Sequence, residues 1–243
     1  MNSCQNKLTI SNINKSYDGV QVLKDITMEV KSGELVSILG PSGSGKSTLF
    51  NVITNLIKAD SGEVKVNGKV SYMYQKDTMV PWKKVIDNIG IPLVFKGKSK
   101  KEAREIVAQY MKQFGLEGFE SKYPSMLSGG MKQRANFLKT FLTSNDIMLL
   151  DEPFGALDSI TRRKLQKWLL NLRHEMNSTI LFITHDIDEA ILLSDRIYII
   201  SDKPAEIKKE IIVDLGEERF KDTDLLIVSE KFIDIKKQVS AVI

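Results

Sequence analysis

The sequence is short of what a disulfide scaffold, a membrane span or a nucleic-acid face requires. One cysteine, Cys4, occurs in 243 residues, so no internal disulfide can form, as in proteins of a reducing compartment. No apolar run approaches the roughly 18 residues of a spanning helix. The polar opening Met1-Asn2-Ser3-Cys4-Gln5-Asn6 lacks the apolar centre of a signal peptide. Aromatic residues make up only 7% and the net charge is a mild +4, which argues against a concentrated basic face for nucleic acid. The one dense basic run, Lys96, Lys98, Lys100 and Lys101, is read as a solvated loop and helix start, with contact to an anionic partner or the cytoplasmic leaflet as the lesser alternative. Internal repeats and low-complexity tracts are also missing. The expectation is a cytosolic protein whose membrane attachment, if any, comes through a partner.

What is present suits a globular chain able to bury a sizeable core, with 42% hydrophobic and 27% charged residues. Residues 7–36 have strand character, with Leu8, Ile10 and Ile13 followed by an alternation from Val22 to Val30 and a turn at Ser32-Gly33. Leu35–Leu39 is a short apolar strand, and Lys46 to Leu56 continues as a helix. Ser61-Gly62 and Asn67-Gly68 predict a hairpin around Val64 and Val66. Between about 80 and 140 the pattern turns helical. Ser99 and Glu102 form a capping box, and Ala103, Ile106, Val107, Tyr110, Met111 and Phe114 recur at helical spacing before Gly115. Met111 and Phe114 are therefore core candidates. Strand and helix then alternate: Ile147–Leu150, Ser159–Met176, Thr179–Thr184, Asp186–Leu193 and Arg196–Ile200. That order predicts an α/β fold with a mostly parallel sheet, an N-terminal antiparallel β subdomain and an inserted α-helical subdomain. All of 1–243 is expected to form one domain, with residues 203–243 as a hairpin and closing helix.

Two glycine-rich segments carry the chemistry. Gly40-Pro41-Ser42-Gly43-Ser44-Gly45-Lys46-Ser47-Thr48 matches the phosphate-loop pattern between a predicted strand and a predicted helix. Its backbone N–H groups and helix N-terminus suit phosphate oxygens, Lys46 suits the β- and γ-phosphates, and the Ser47 hydroxyl suits Mg²⁺. The second segment, Leu127-Ser128-Gly129-Gly130-Met131-Lys132-Gln133-Arg134, offers a hydroxyl, two unencumbered amides and a helix start, yet no second phosphate-binding lysine follows it. Two half-sites in one chain imply that a complete site takes two chains. The apolar strand ending in Asp151-Glu152 sets two carboxylates at the carboxyl edge of the sheet, where open α/β folds bind ligands. Asp151 can hold Mg²⁺ through water. Strand alternation points Glu152 the other way, toward the water that attacks a γ-phosphate. A guanine-reading N-K-x-D is missing, since Asn14-Lys15 is followed by Ser16 and Tyr17, which excludes a GTP switch.

Together these motifs resemble the ATP-binding cassette of ABC transporters, over about residues 8 to 202. The resemblance implies that Ser128, Gly129 and Gly130 cap the γ-phosphate of ATP held by the opposite subunit. It implies that Gln75, ending the strand Val70–Tyr74, senses Mg²⁺ and links to the helical subdomain. His185 becomes the switch histidine and Asp158, in Gly155-Ala156-Leu157-Asp158, the residue of a loop crossing the dimer interface. Tyr17 becomes the aromatic stacked on adenine, though a tyrosine near a strand end is as often core. His174, on a polar helix end, is read as structural or solvated.

The segment from Gln75 to Asn88, with Val80-Pro81-Trp82 and Asp87-Asn88-Ile89, and Phe154 to Asp158 are similar to the importer branch for nitrate, sulfonate, taurine and thiamine precursors. Trp82 is then expected near the groove that receives the permease, or in the subdomain core. Lys139 stands where that family commonly has arginine, which leaves the packing of the signature helix open. The implied protein is a peripheral ATPase at the cytoplasmic face of a bacterial membrane. It would use ATP and Mg²⁺ and work as a homodimer with two permease subunits and a solute-binding protein, without nucleic acid. A soluble ABC ATPase that moves no solute is the alternative.

Overall fold

Alternation of side chains along each strand divides the interior into two layers. The computed structural model describes residues 5–155, 157–176, 178–216 and 223–243; Cys4, Ala156 and the side chain of His174 lie outside the described set. Strands β1 (Asn6–Tyr17) and β2 (Val20–Lys31) pair antiparallel, and β4 (Ser61–Val66) joins the other side of β1. A second, six-stranded sheet has the order β5-β6-β7-β3-β8-β9. Its strands are β3 (Leu35–Leu39), β5 (Val70–Met73), β6 (Ile147–Asp151), β7 (Thr179–Thr184), β8 (Arg196–Ile200) and β9 (Ile207–Ile212). All neighbours in it pair parallel except β9, which runs antiparallel to β8. Every residue of β3, β6, β7 and β8 is buried, the signature of a parallel sheet covered on both faces.

Val36, Ile38, Leu149, Leu181 and Ile183 face α1 (Lys46–Ile53) and the antiparallel sheet, where they meet Phe50, Ile10 and Ile26. Leu35, Leu39, Leu150, Phe182 and Ile199 face the other helices. The helical insertion between β5 and β6 comprises α2 (Val85–Ile89), α3 (Ile91–Phe95), α4 (Lys100–Met111), a 3-10 turn at Pro124–Met126, and α5 (Gly129–Thr143). The capping box starts α4: the Glu102 amide donates to Ser99 Oγ at 3.2 Å and the Ser99 amide to Glu102 Oε2 at 2.8 Å. Met111 and Phe114 are buried as expected. The Phe114 ring meets Trp168 of α6 (Ser159–Met176) edge-on at 5.3 Å, joining the insertion to the sheet's helices. Helices α7 (Ile187–Leu193), α8 (Thr223–Ile227) and α9 (Glu230–Ser240) complete that layer. No described helix is long and apolar enough to cross a membrane.

Two expectations need correction. Val64 and Val66 form no hairpin: Gly62 sits inside β4, and the segment after Asn67 passes to the other sheet. A Cβ on Gly62 would lie 2.4 Å from the Asn12 carbonyl oxygen, so this glycine serves a close approach between strands rather than a turn. The C-terminal hairpin draws its first strand from β8, and among the described residues two helices, not one, follow β9.

Candidate active site

The site is assembled where β3, β6 and β7 end. After Leu39 the chain turns through Gly40–Gly45 into α1. Gly45 has φ 118°, and a Cβ there would lie 2.8 Å from Val22 Cγ1 and 3.2 Å from the Val22 carbonyl; only glycine fits this conformation without strain. A Cβ on Gly40 would lie 2.6 Å from Ile200 Cγ1 and 2.9 Å from the Ile200 carbonyl oxygen. Pro41, Ser42 and Gly43 form the outer curve of the loop, while Ser44 is buried beneath it and Thr48 half-buried in the first turn of α1. Lys46 is buried, and its ammonium donates to the carbonyls of Gly40 at 2.8 Å and Pro41 at 2.6 Å. Burial pushes its pKa down, opposed by the charges of Glu152 and Asp151. Those carboxylates are near because β3 and β6 flank β7 in parallel and all three end at the same edge of the sheet.

Asp151 is buried at the end of β6 and accepts the Tyr72 hydroxyl at 3.0 Å. Burial raises its carboxyl pKa, against the lowering effect of hydrogen bonds from Ser47 and Tyr72. Glu152 departs from the expected alternation because its φ is +44°. A left-handed non-glycine residue costs about 1–3 kcal/mol, and here it swings the carboxylate between two loops. Glu152 Oε2 accepts the Gln75 amide at 2.8 Å, and Oε1 lies 3.3 Å from His185 Nδ1. Gln75, two residues past β5, and His185, directly after β7, are exposed. The structure thus brings Lys46, Ser47, Gln75, Asp151, Glu152 and His185 into one cluster.

The Ser128 segment is built separately. Ser128 caps α5 by accepting the Met131 amide at 3.3 Å. A Cβ on Gly130 would stand 2.7 Å from Thr161 Cγ2, and one on Gly129 3.3 Å from Leu157 Cδ2. These residues share no hydrogen bond with the Lys46 cluster among those described. Asp158 caps α6 by accepting the Thr161 amide at 3.0 Å, which holds its carboxyl below the usual range. Tyr17 is 43% exposed, with the Lys15 ammonium 5.4 Å from its ring centroid, so it is not core. Trp82 is 78% exposed, which removes the core alternative for that residue too.

Sequence reasoning missed Tyr72, whose contact with Asp151 depends on β5 lying beside β6. It left the packing around Lys139 open. In the structure Lys139 Nζ donates to the Thr78 carbonyl at 3.2 Å and Asn136 Nδ2 to Asp77 Oδ1 at 3.4 Å, tying α5 to the segment after Gln75. Burial lowers the Lys139 pKa.

The donor set fits Mg²⁺. Ser47 and Asp151 are close enough for the hydroxyl to lower the carboxyl pKa and offer only oxygen, and Gln75 keeps its amide oxygen free of the contact its nitrogen makes with Glu152. Mg²⁺ takes few protein oxygens and completes its shell with phosphate and water.

The family model described as ABC transporter matches residues 23–155. The formylaminopyrimidine import ATP-binding protein ThiZ of Halalkalibacterium halodurans is 45% identical over 200 residues, covering 81% of this chain and 80% of its own. The aliphatic sulfonates import ATP-binding protein SsuB of Bacillus cereus is 40% identical, covering 93% and 89%. The taurine import ATP-binding protein TauB of Escherichia coli is 37% identical, covering 84% and 83%. Among solved structures, a dimeric bacterial ABC transporter cassette superposes with a TM-score of 0.75 at 32% identity, over 86% of this chain and all of the other. Its post-hydrolysis state bound to ADP and phosphate superposes at 0.74. With the phosphate loop, paired carboxylates and serine-capped α5 in place, the chain belongs to the ABC transporter family of ATP-binding cassettes and is an ATPase.

Proposed function

We propose that this chain is the ATP-hydrolysing subunit of an importer for a small solute of the sulfonate, taurine, nitrate or thiamine-precursor kind. It would work at the cytoplasmic face of the membrane as a homodimer beneath two permease subunits, fed by a solute-binding protein. The observation that carries the catalytic part is the triangle of Gln75, Glu152 and His185, with Glu152 bonded at 2.8 Å to one and 3.3 Å from the other. The identity to ThiZ, SsuB and TauB over most of the chain supports the solute class.

In this mechanism the amides of Gly40–Gly45 and the N-terminus of α1 hold the phosphates of ATP, and Lys46 leaves its loop carbonyls to neutralise the β- and γ-phosphates. Ser47, Asp151 and Gln75 would hold Mg²⁺, which supplies charge neutralisation when bound. Glu152 orients a water for in-line attack on the γ-phosphorus; the bond to the β-phosphate oxygen breaks and the water proton passes to Glu152 or the product phosphate. His185 steadies both Glu152 and the γ-phosphate. Tyr17 stacks on adenine. Ser128, Gly129 and Gly130 of the second copy close the same phosphate from the other side, with Asp158 at the crossing. Closure then moves the permease through the surface around Trp82.

Co-expression with a membrane permease of this class tests the proposal. Association in detergent that is lost in Trp82→Ala, while the isolated subunit keeps its ATPase activity, is the expected result. Stable capture by a soluble scaffold in place of a membrane protein would overturn the importer reading and favour a non-transport ATPase.

A further inference from the structure

Between the Ser128 segment and His185 lies one side chain that the mechanism above does not use. Leu157 packs against Gly129 and Thr161 against Gly130, at 3.3 and 2.7 Å from where a Cβ would stand. Movement of the Ser128 segment therefore bears directly on the turn entering α6. Arg162 starts the next part of that helix. Its Nη2 donates to the Leu157 carbonyl at 3.1 Å. The same guanidinium faces two carboxylates of the switch segment, with Nη1 3.7 Å from Asp186 Oδ2 and Nε 3.8 Å from Glu189 Oε1.

Those two carboxylates frame His185. The Thr184 hydroxyl donates to Glu189 Oε2 at 2.7 Å and accepts the Asp186 amide at 3.0 Å, pinning the residues on both sides of the histidine. Gln166 Nε2 donates to Glu189 Oε1 at 3.2 Å. Asp186 also caps α7 by accepting the Glu189 amide at 3.1 Å. His185 in turn touches Glu152 at 3.3 Å.

The contacts to the carboxylates stand about half an ångström beyond the upper end of hydrogen-bond length, and Arg162 Nε is buried without a hydrogen bond. A cavity of about 30 Å³, bordered by Glu152, Arg162, His185, Asp186 and Glu189, separates the groups. The junction therefore has both the unmet donor and the room for a short closing movement. Arginine suits it because its rigid planar fork carries five donors in fixed directions, whereas a lysine offers three on one rotating point charge.

We propose that Arg162 is a positioning residue that couples the two ATP sites of the dimer. Engagement of the twin's ATP by Ser128–Gly130 shifts Leu157, Arg162 closes onto Asp186 and Glu189, and His185 is set against Glu152 at this chain's own ATP. The proposal rests on the sandwich dimer stated above. It gives the switch segment a second input besides its own nucleotide; the part of the coupling that enters the two ATP-binding free energies is equal in both directions, whereas the part that enters kcat need not be.

The test is the ATP dependence of steady-state hydrolysis in the purified full chain, with ATP binding and thermal melting measured in parallel. The parental chain is expected to show positive cooperativity, with a Hill coefficient between 1 and the two-site limit. Arg162→Met should bring it to about 1 and lower kcat about tenfold, within the span usual for site–site coupling. ATP affinity of the isolated subunit should stay within about twofold by the same argument, since Arg162 touches no phosphate-loop residue. Glu189→Gln removes the charge while retaining an acceptor for Thr184, and should lower the Hill coefficient likewise; it decides the matter if Arg162→Met does not fold. Arg162→Lys should restore only part of the cooperativity. A parental Hill coefficient in folded Arg162→Met or Glu189→Gln, with kcat reduced only by the folded fraction, would overturn the proposal, as would a non-cooperative parental enzyme. ATP-dependent dimerisation of Glu152→Gln reports on the dimer itself, so its failure is distinguishable from failure of the coupling.

Discussion

Glu152→Gln isolates the chemical step. The substitution keeps the volume of the side chain and leaves one oxygen to accept the Gln75 amide, now at 2.8 Å, so the cluster need not reorganise. It removes the carboxylate that orients and deprotonates water. Loss of a positioned general base is worth roughly 10²–10⁴ in rate, or about 3–5 kcal/mol at 1.36 kcal/mol per decade. Binding should move the other way or not at all, because Glu152 acts on the Lys46 ammonium at the phosphate position and its removal takes away a negative charge beside a negative ligand. Phosphate release at saturating Mg-ATP is therefore expected to fall at least about 100-fold, with ATP affinity equal or tighter. Hydrolysis within a factor of about two of the parental rate would refute the assignment of Glu152 as base.

Gly45→Ala should destabilise the fold by about 2–4 kcal/mol, from a disfavoured φ and contact with the Val22 backbone, and weaken ATP binding; urea unfolding that shows no loss would contradict the geometry. Asp87 tests the anchoring of the helical insertion. Its carboxyl lies below the usual range chiefly through the hydrogen bonds from Arg104, at 2.7 and 2.8 Å. Such a depressed carboxylate adds stability above its unfolded pKa and loses it as pH falls through the folded value. Because Arg104 is partly solvated, Asp87→Asn should cost about 1 kcal/mol at pH 7, and the difference should shrink below about pH 4. A gap that stayed constant down to pH 3 would refute the ion-pair account.

The parts of the fold that were legible are those written in short range. Leu35–Leu39, Ile147–Asp151 and Thr179–Thr184 are apolar runs of the length of a buried strand, and Ser99 with Glu102 closes its box within one helical turn. The phosphate loop carries its own geometry in Gly40 and Gly45. Gly62 misled because a glycine that lets two strands approach looks the same in sequence as one that turns a chain. The pairing of Tyr72 with Asp151, and of Arg162 with Leu157, Asp186 and Glu189, depends on which strands and helices become neighbours. Glu152 was found, yet its direction was credited to strand alternation when a left-handed backbone sets it.

The central claim is that each ATP lies between the phosphate loop of one copy and Ser128–Gly130 of another. Sedimentation equilibrium of Glu152→Gln with ATP tests it most directly, alone and combined with Ser128→Glu. The account predicts a species of twice the 27.4 kDa chain mass holding one ATP per chain. Adding Ser128→Glu should return the protein to monomer while each chain still binds ATP through Lys46. A monomer at saturating ATP in Glu152→Gln, or a dimer indifferent to Ser128→Glu, would contradict it.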